Sequence, residues 1–149
     1  NYQSRTLREL DVLTGEALSE ILHEEDEEIL SMYLDYNPDH QYPSRILVTF
    51  TGDFRDTPQA TLTGITMWMT AFLPDLTTEE VTELFAQEGL FKEGNNEYWM
   101  PVQNHLIPIM ADELSSGDDI ELFVRWMGAT VESDQIEKIY LINAFRTPE

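Results

Sequence analysis

The chain has 149 residues, no cysteine, and 29 acidic against 8 basic side chains, for a formal net charge of -21. That length fits one domain able to bury a core without staples, and the missing cysteine excludes disulfides, thiolate metal sites and cysteine nucleophiles. Acids outnumber bases in every third of the chain, so the charge is a coat rather than a tail, and it argues against phosphate-backbone binding, which rests on Lys and Arg.

The first 37 residues read as helical. Thr6 and Glu9 have the spacing of a capping box, in which the hydroxyl and the carboxylate each take a backbone N–H. Gly15 interrupts, and Leu18, Ile21, Leu22, Ile29 and Tyr33 then recur at helical spacing. The helix is expected to about residue 28; Leu30, Met32, Leu34 and Tyr36 alternate as in a strand, which leaves 29–36 open. Asn37 to Ser44 forms a turn segment with Pro38 and Pro43 as breakers.

From Ile46 the period becomes two. Ile46, Val48 and Phe50 predict a strand ending at Gly52, followed by a polar loop to Pro58. Ile65, Met67, Met69 and Ala71 predict a second strand, with Thr66, Trp68 and Thr70 on its other face. Thr77 and Glu80 form a second capping box, opening a short helix with Val81, Leu84 and Phe85 inward and Gly89 as its C-cap. Gly94-Asn95-Asn96 reads as a hairpin turn between Leu90–Glu93 and Glu97–Val102. Asn104 is placed to cap a third helix carrying Leu106, Ile107, Met110 and Leu114, with Pro108 near its start, where proline costs least. After the turn Ser115–Asp118, Ile120, Leu122, Val124 and Trp126 alternate as a strand. Ile139, Leu141, Asn143 and Phe145 make the last strand, across a polar loop at Glu132–Gln135.

These elements predict an α+β fold over one domain, 1–149: an antiparallel sheet of five to six strands, curled in one version into a small, partly open barrel, with two to three packed helices. Residues 1–45 form a mainly helical segment packed on a 46–149 sheet or barrel unit. The expected core is Leu18, Ile21, Leu22, Ile46, Val48, Phe50, Met67, Met69, Leu84, Phe85, Leu122, Val124, Leu141 and Phe145. A strand–glycine–loop–Ala-Phe pattern recurs at 47–72 and 123–145 and raises the question of an internal duplication.

Chemical motifs mostly fail on inspection. His23 opens an acidic run whose position 27 is Glu rather than the second histidine of a zinc-protease helix. Asp35, Asn37 and Asp39 have calcium-loop spacing, but His40 and Ile46 stand where glycine and a bidentate glutamate belong. There is no nucleophile elbow, Walker loop or dinucleotide fingerprint, so the balance is against an enzyme. His105 reads as a local structural residue beside Asn104. Asp53 and Asp56, with Asp118 and Asp119, are the carboxylate pairs in predicted loops where a divalent cation would be sought; no other cofactor is implied. Trp68, Trp99 and Trp126 lie on predicted strands and are the candidates for an aromatic platform.

Three functions follow, in order. The first is a non-catalytic binding or accessory domain engaging a basic protein partner through its acidic surface. The second is a divalent-cation-binding domain or cation-dependent hydrolase using the loop carboxylates. The third is a peptide- or sugar-binding module with an aromatic platform. The longest apolar stretches, around Ile65–Met69 and Leu106–Ala111, are far short of the roughly 20 residues of a membrane span. The absence of cysteine and of an initiator methionine points to an exported or periplasmic location.

Overall fold

A computed structural model describes residues 2–24, 41–132 and 135–148. The elements run β1 (Gln3–Ser4), α1 (Leu7–Glu24), β2 (Ser44–Asp56), α2 (Gln59–Phe72), α3 (Thr78–Leu84), β3 (Gln87–Glu93), β4 (Asn96–Val102), α4 (Leu106–Glu113), β5 (Asp119–Glu132) and β6 (Gln135–Arg146). The sheet order is β1-β2-β3-β4-β6-β5, and β5 pairs back onto β2. Five strands thereby close into a barrel, which removes most of the exposed edge. The α+β class and the barrel agree with the sequence. The sheet is mixed rather than purely antiparallel, because β1 joins β2 and β4 joins β6 in parallel.

β2 is the strand that makes closure work. Its first half, Ser44 to Thr49, pairs with β5, and its second half, Thr49 to Asp56, pairs with β3. The register shifts between Phe50 and Phe54, where Gly52 takes φ +84°. A residue without a Cβ tolerates that conformation, and the resulting bulge bends the strand from one neighbour to the other. Gly52 is therefore a bend within a 13-residue strand, and the polar loop expected over 51–58 is strand down to Asp56. Polar side chains read as a loop here because the second half of β2 turns them to solvent.

α1 is continuous through Gly15. Its capping box forms as the spacing requires: Glu9 N–H donates to Thr6 Oγ1 and Thr6 N–H to Glu9 Oε1, both at 3.0 Å. Glu93 on β3 completes the cap, accepting from Leu7 N at 2.7 Å and Arg8 N at 3.2 Å, so a carboxylate faces the positive end of the helix dipole. Leu7, Leu10, Thr14 and Leu18 form the buried stripe, a helical period that places them against the barrel interior.

The strand expected over Ile65–Ala71 is helix α2. Thr61, Leu62, Ile65 and Trp68 are buried, whereas Met67 is 47% exposed. The buried positions follow the helical period, not the alternation of apolar and Thr residues. Thr70 donates to the Thr66 carbonyl at 2.7 Å, which satisfies its hydroxyl within the helix. α2 and α3 lay Ile65, Trp68, Val81 and Phe85 on the outer face of β5 and β6, at Met127, Ile139 and Leu141. The inner face carries the larger core of Ile46, Val48, Phe50, Phe91, Leu122, Val124, Trp126 and Ile142.

Other boundaries moved for local reasons. The Thr77–Glu80 capping box forms, but α3 stops at Leu84 and Gly89 lies inside β3, beneath Phe91 and Phe54. The Gly94–Asn95 hairpin is as expected. α4 starts after His105 rather than at an Asn104 cap. Met69, Leu84 and Phe145 pack at the margins of the core and are only partly buried. Ile21, Leu22, His23 and Glu24 form the last turn of α1, and the burial expected of Ile21 and Leu22 lies outside what is described; the rest of the acidic run to Glu28, the Asp35–Asp39 stretch and residues 29–36 lie outside the described residues. The duplication ends on topology: Gly52 leads through a strand to helix α2, whereas Gly128 lies in a bulge within the β5–β6 pairing.

Candidate functional site

The barrel is least tightly closed where β4 meets β6. That parallel pairing is registered at Val102 and Ile142, while β4 continues its pairing with β3 as far as Asn96 and β6 with β5 as far as Gln135. A cleft of about 460 Å³ opens along this seam, lined by residues of both strands together with Asp11, Arg55, Thr61 and Glu88.

Two hydrogen-bonded groups form its walls. On one side, Arg55 and Glu88 are direct cross-strand partners on β2 and β3. Arg55 Nε donates to Glu88 Oε1 at 2.8 Å, and its guanidinium carbon lies 4.3 Å from the centre of the Trp99 ring. The planar cation is thus held by a carboxylate at its edge and an indole at its face. Glu88 is only 4% exposed. Burial raises its pKa above the ordinary carboxylate value, and the Glu137 charge adds to this, against the opposing pull of Arg55.

On the other side, α1 meets β6. The Tyr140 hydroxyl donates to Asp11 Oδ1 and lies 2.9 Å from Thr14 Oγ1. Lys138 Nζ donates to the Asp11 carbonyl at 2.6 Å and sits 3.8 Å from the Asp11 carboxylate. Burial and the neighbouring Asp11 raise the Tyr140 pKa, so the phenol stays protonated and donating at neutral pH. Tyr98 is raised by burial, Asp11 and Glu93 in the same direction. Gly15 faces this group: a Cβ there would lie 3.5 Å from Lys138 Nζ.

The cleft therefore presents four carboxylates (Asp11, Glu88, Glu97 and Glu137) against two cations (Arg55 and Lys138), with Tyr98, Trp99 and Tyr140 between them. Among the described residues, both cations already have acidic partners, and Glu97 and Glu137 have no ion pair. The arrangement suits holding a positive group against an aromatic wall.

Of the aromatic candidates, Trp99 is partly buried and lines this cleft. Trp68 is 7% and Trp126 2% exposed, the first on α2 in the cluster that packs it with α3, β5 and β6, and the second inside the barrel, stacked 6.0 Å from Tyr42. The carboxylates Asp53, Asp56, Asp118 and Asp119 are exposed and lie along the outside of the β2–β5 region. Asp118 Oδ2 accepts from Ser115 N at 2.8 Å, closing its turn, and Asp119 Oδ1 accepts from Thr49 Oγ1 at 3.0 Å. Asp119 registers with Thr49, whereas Asp56 registers with Gln87 at the far end of β2. Among the described residues, no group of three or more His, Asp or Glu is placed to hold a metal ion.

Sequence reasoning missed Asp11, Arg55 with Glu88, Glu137, Lys138 and Tyr140 as one group. They come from four elements, α1, β2, β3 and β6, and no local motif joins them. One signal was legible: Lys138 directly precedes the alternating run from Ile139, where a charge needs a partner. No protein-family model matches the chain, and no curated protein matches its sequence.

Proposed function

We propose that this domain is a non-catalytic binding or accessory module that engages a basic protein partner. The observation that carries this reading is the seam cleft, where carboxylates outnumber cations two to one beside an exposed part of Trp99, on a chain of net charge -21. Such a surface speeds the encounter with a cationic partner and is weakened by salt, because exposed charges are screened beyond about 8–10 Å at physiological ionic strength. The test is capture of a basic polypeptide across a sodium chloride series, with the cleft acids neutralised in a parallel variant. Binding that falls with salt and with neutralisation supports the reading; salt-independent binding removes it.

The placement of Trp99 in a cleft favours one second reading, a peptide- or sugar-binding module with this indole as platform. Oligosaccharide titration followed by tryptophan fluorescence separates the two, since a neutral sugar takes no part in the charge-driven reading. Thermal unfolding in millimolar calcium against sodium at matched ionic strength tests the divalent-cation alternative. A specific site raises stability beyond the sodium control by mass action.

A further inference from the structure

Resting on the reading of a basic partner, we propose that the β4–β6 seam cleft is the subsite that takes an arginine side chain of that partner. The first argument is internal precedent. The chain's own Arg55 is held at the rim by Glu88 at 2.8 Å and by the Trp99 ring at 4.3 Å. This wall is already built for a planar cation, with a carboxylate at the edge and an aromatic face beside it. The second argument is what that pair leaves over. Glu97 and Glu137 line the same cavity and have no ion pair among the described residues, while Tyr98 and Trp99 are only partly buried. The third is space: about 460 Å³ falls within the roughly 300–1,000 Å³ of small-ligand sites and exceeds what one side chain fills.

Position gives the site its selectivity. Lys138 is tied to the Asp11 carbonyl and carboxylate, so the end of the cleft nearest α1 is neutralised by the chain itself. The lining carboxylates without an ion pair among the described residues are Glu97 and Glu137, and Trp99 lines the same cavity. A guanidinium entering there can pair a carboxylate through two parallel N–H donors while its plane lies on an aromatic ring. An ammonium of the same charge gains the attraction without the paired geometry. The subsite therefore prefers arginine over lysine.

The experiment is a titration of the intact domain, at 150 mM sodium chloride, with an uncharged-end peptide carrying two arginines and with its lysine counterpart. Tryptophan fluorescence is the readout; because Trp68 and Trp126 are buried, the change reports mainly on Trp99. The arginine peptide is expected to bind several-fold more tightly than the lysine peptide, an advantage that Glu97→Gln with Glu137→Gln removes. That double variant should lose about tenfold in affinity, which corresponds to about 1.4 kcal/mol. Trp99→Leu loses the signal, so calorimetry follows its affinity, with circular dichroism as the check that both variants fold. Asp118→Asn with Asp119→Asn, outside the cleft, is the matched charge control and should stay within twofold. If the control loses as much as the cleft variant, or lysine binds as well as arginine, the subsite is wrong while the acidic-surface reading stands. If neither peptide binds, both are wrong. A response to oligosaccharide alone assigns the cleft to a neutral ligand and overturns the proposal.

Discussion

Glycine to alanine at two positions should move stability in opposite directions, and the geometry gives the sign. A Cβ built on Gly89 would sit 2.9 and 3.0 Å from two ring atoms of Phe91 and 3.2 Å from Phe54 Cε1. Phe91 is fully buried, so its ring has nowhere to swing; Phe54, at the margin, can yield. Overpacking of this kind costs about 1–3 kcal/mol, and the lost freedom of the unfolded chain returns only about 0.4–1 kcal/mol. The net is a loss of about 1–2 kcal/mol, or a fall in Tm of about 3–6 °C for a chain of this length. A Cβ on Gly15 meets Lys138 Nζ at 3.5 Å, an ordinary contact with a flexible side chain. Gly15 lies inside α1, where alanine is favoured by about 0.5–1 kcal/mol, so Gly15→Ala should raise Tm by about 2–3 °C. Thermal unfolding by circular dichroism, with urea titration as a second probe, measures both. Phe91→Leu in the Gly89→Ala background should give a loss smaller than the two single losses combined, because the clashing ring is gone. Gly89→Ala at or above wild-type stability, or strict additivity with Phe91→Leu, would refute the placement of Gly89 beneath that ring.

Glu88 carries a pH signature. Its pKa is raised in the folded state, so the folded chain keeps a proton that the unfolded chain releases. Its contribution is fully present below the ordinary value of 4.5 and is lost as pH rises through the folded value. Glu88→Gln should flatten that part of the stability–pH profile, measured by urea unfolding at stepped pH, while still accepting from Arg55; an unchanged slope would count against it. The dispersed charge predicts that sodium chloride raises Tm, through screening of repulsion among 29 acids; a Tm indifferent to salt would show that the coat exerts little net repulsion. Thr77→Ala removes the hydroxyl half of the α3 capping box, which accepts from Glu80 N at 3.1 Å, and should cost about 1 kcal/mol by denaturant titration. The same substitution at Thr6 should cost less, because Glu93 also caps α1 there.

Tyr140 shows how the site escapes sequence patterning. As an aromatic in a strand it reads as ordinary packing, and only the arrival of Asp11 and Thr14 from α1 makes its hydroxyl part of a network. Arg55 reads as a loop residue because Gly52 looks like a strand end. The bulge that Gly52 permits carries the strand on, and it sets Arg55 opposite Glu88.

Much was determined by sequence alone. The capping boxes at Thr6 and Thr77 and the Gly94 hairpin are satisfied by near neighbours, and the alternation of Ile46 to Phe50 and Ile120 to Trp126 is written in consecutive residues. Local hydrogen bonds and a two-residue period are short-range physics, so they are legible over a few residues. Tertiary structure decided the rest. Whether Ile65 to Ala71 is strand or helix depended on which face of β5 and β6 needed covering, since β-branched and apolar residues there fit either period. Closure of β5 onto β2 decided that the sheet is a barrel, and the parallel meeting of β4 and β6 decided where it opens. The cleft exists because six elements, α1, β2, α2, β3, β4 and β6, converge on that seam, and sequence separation carries no information about such convergence.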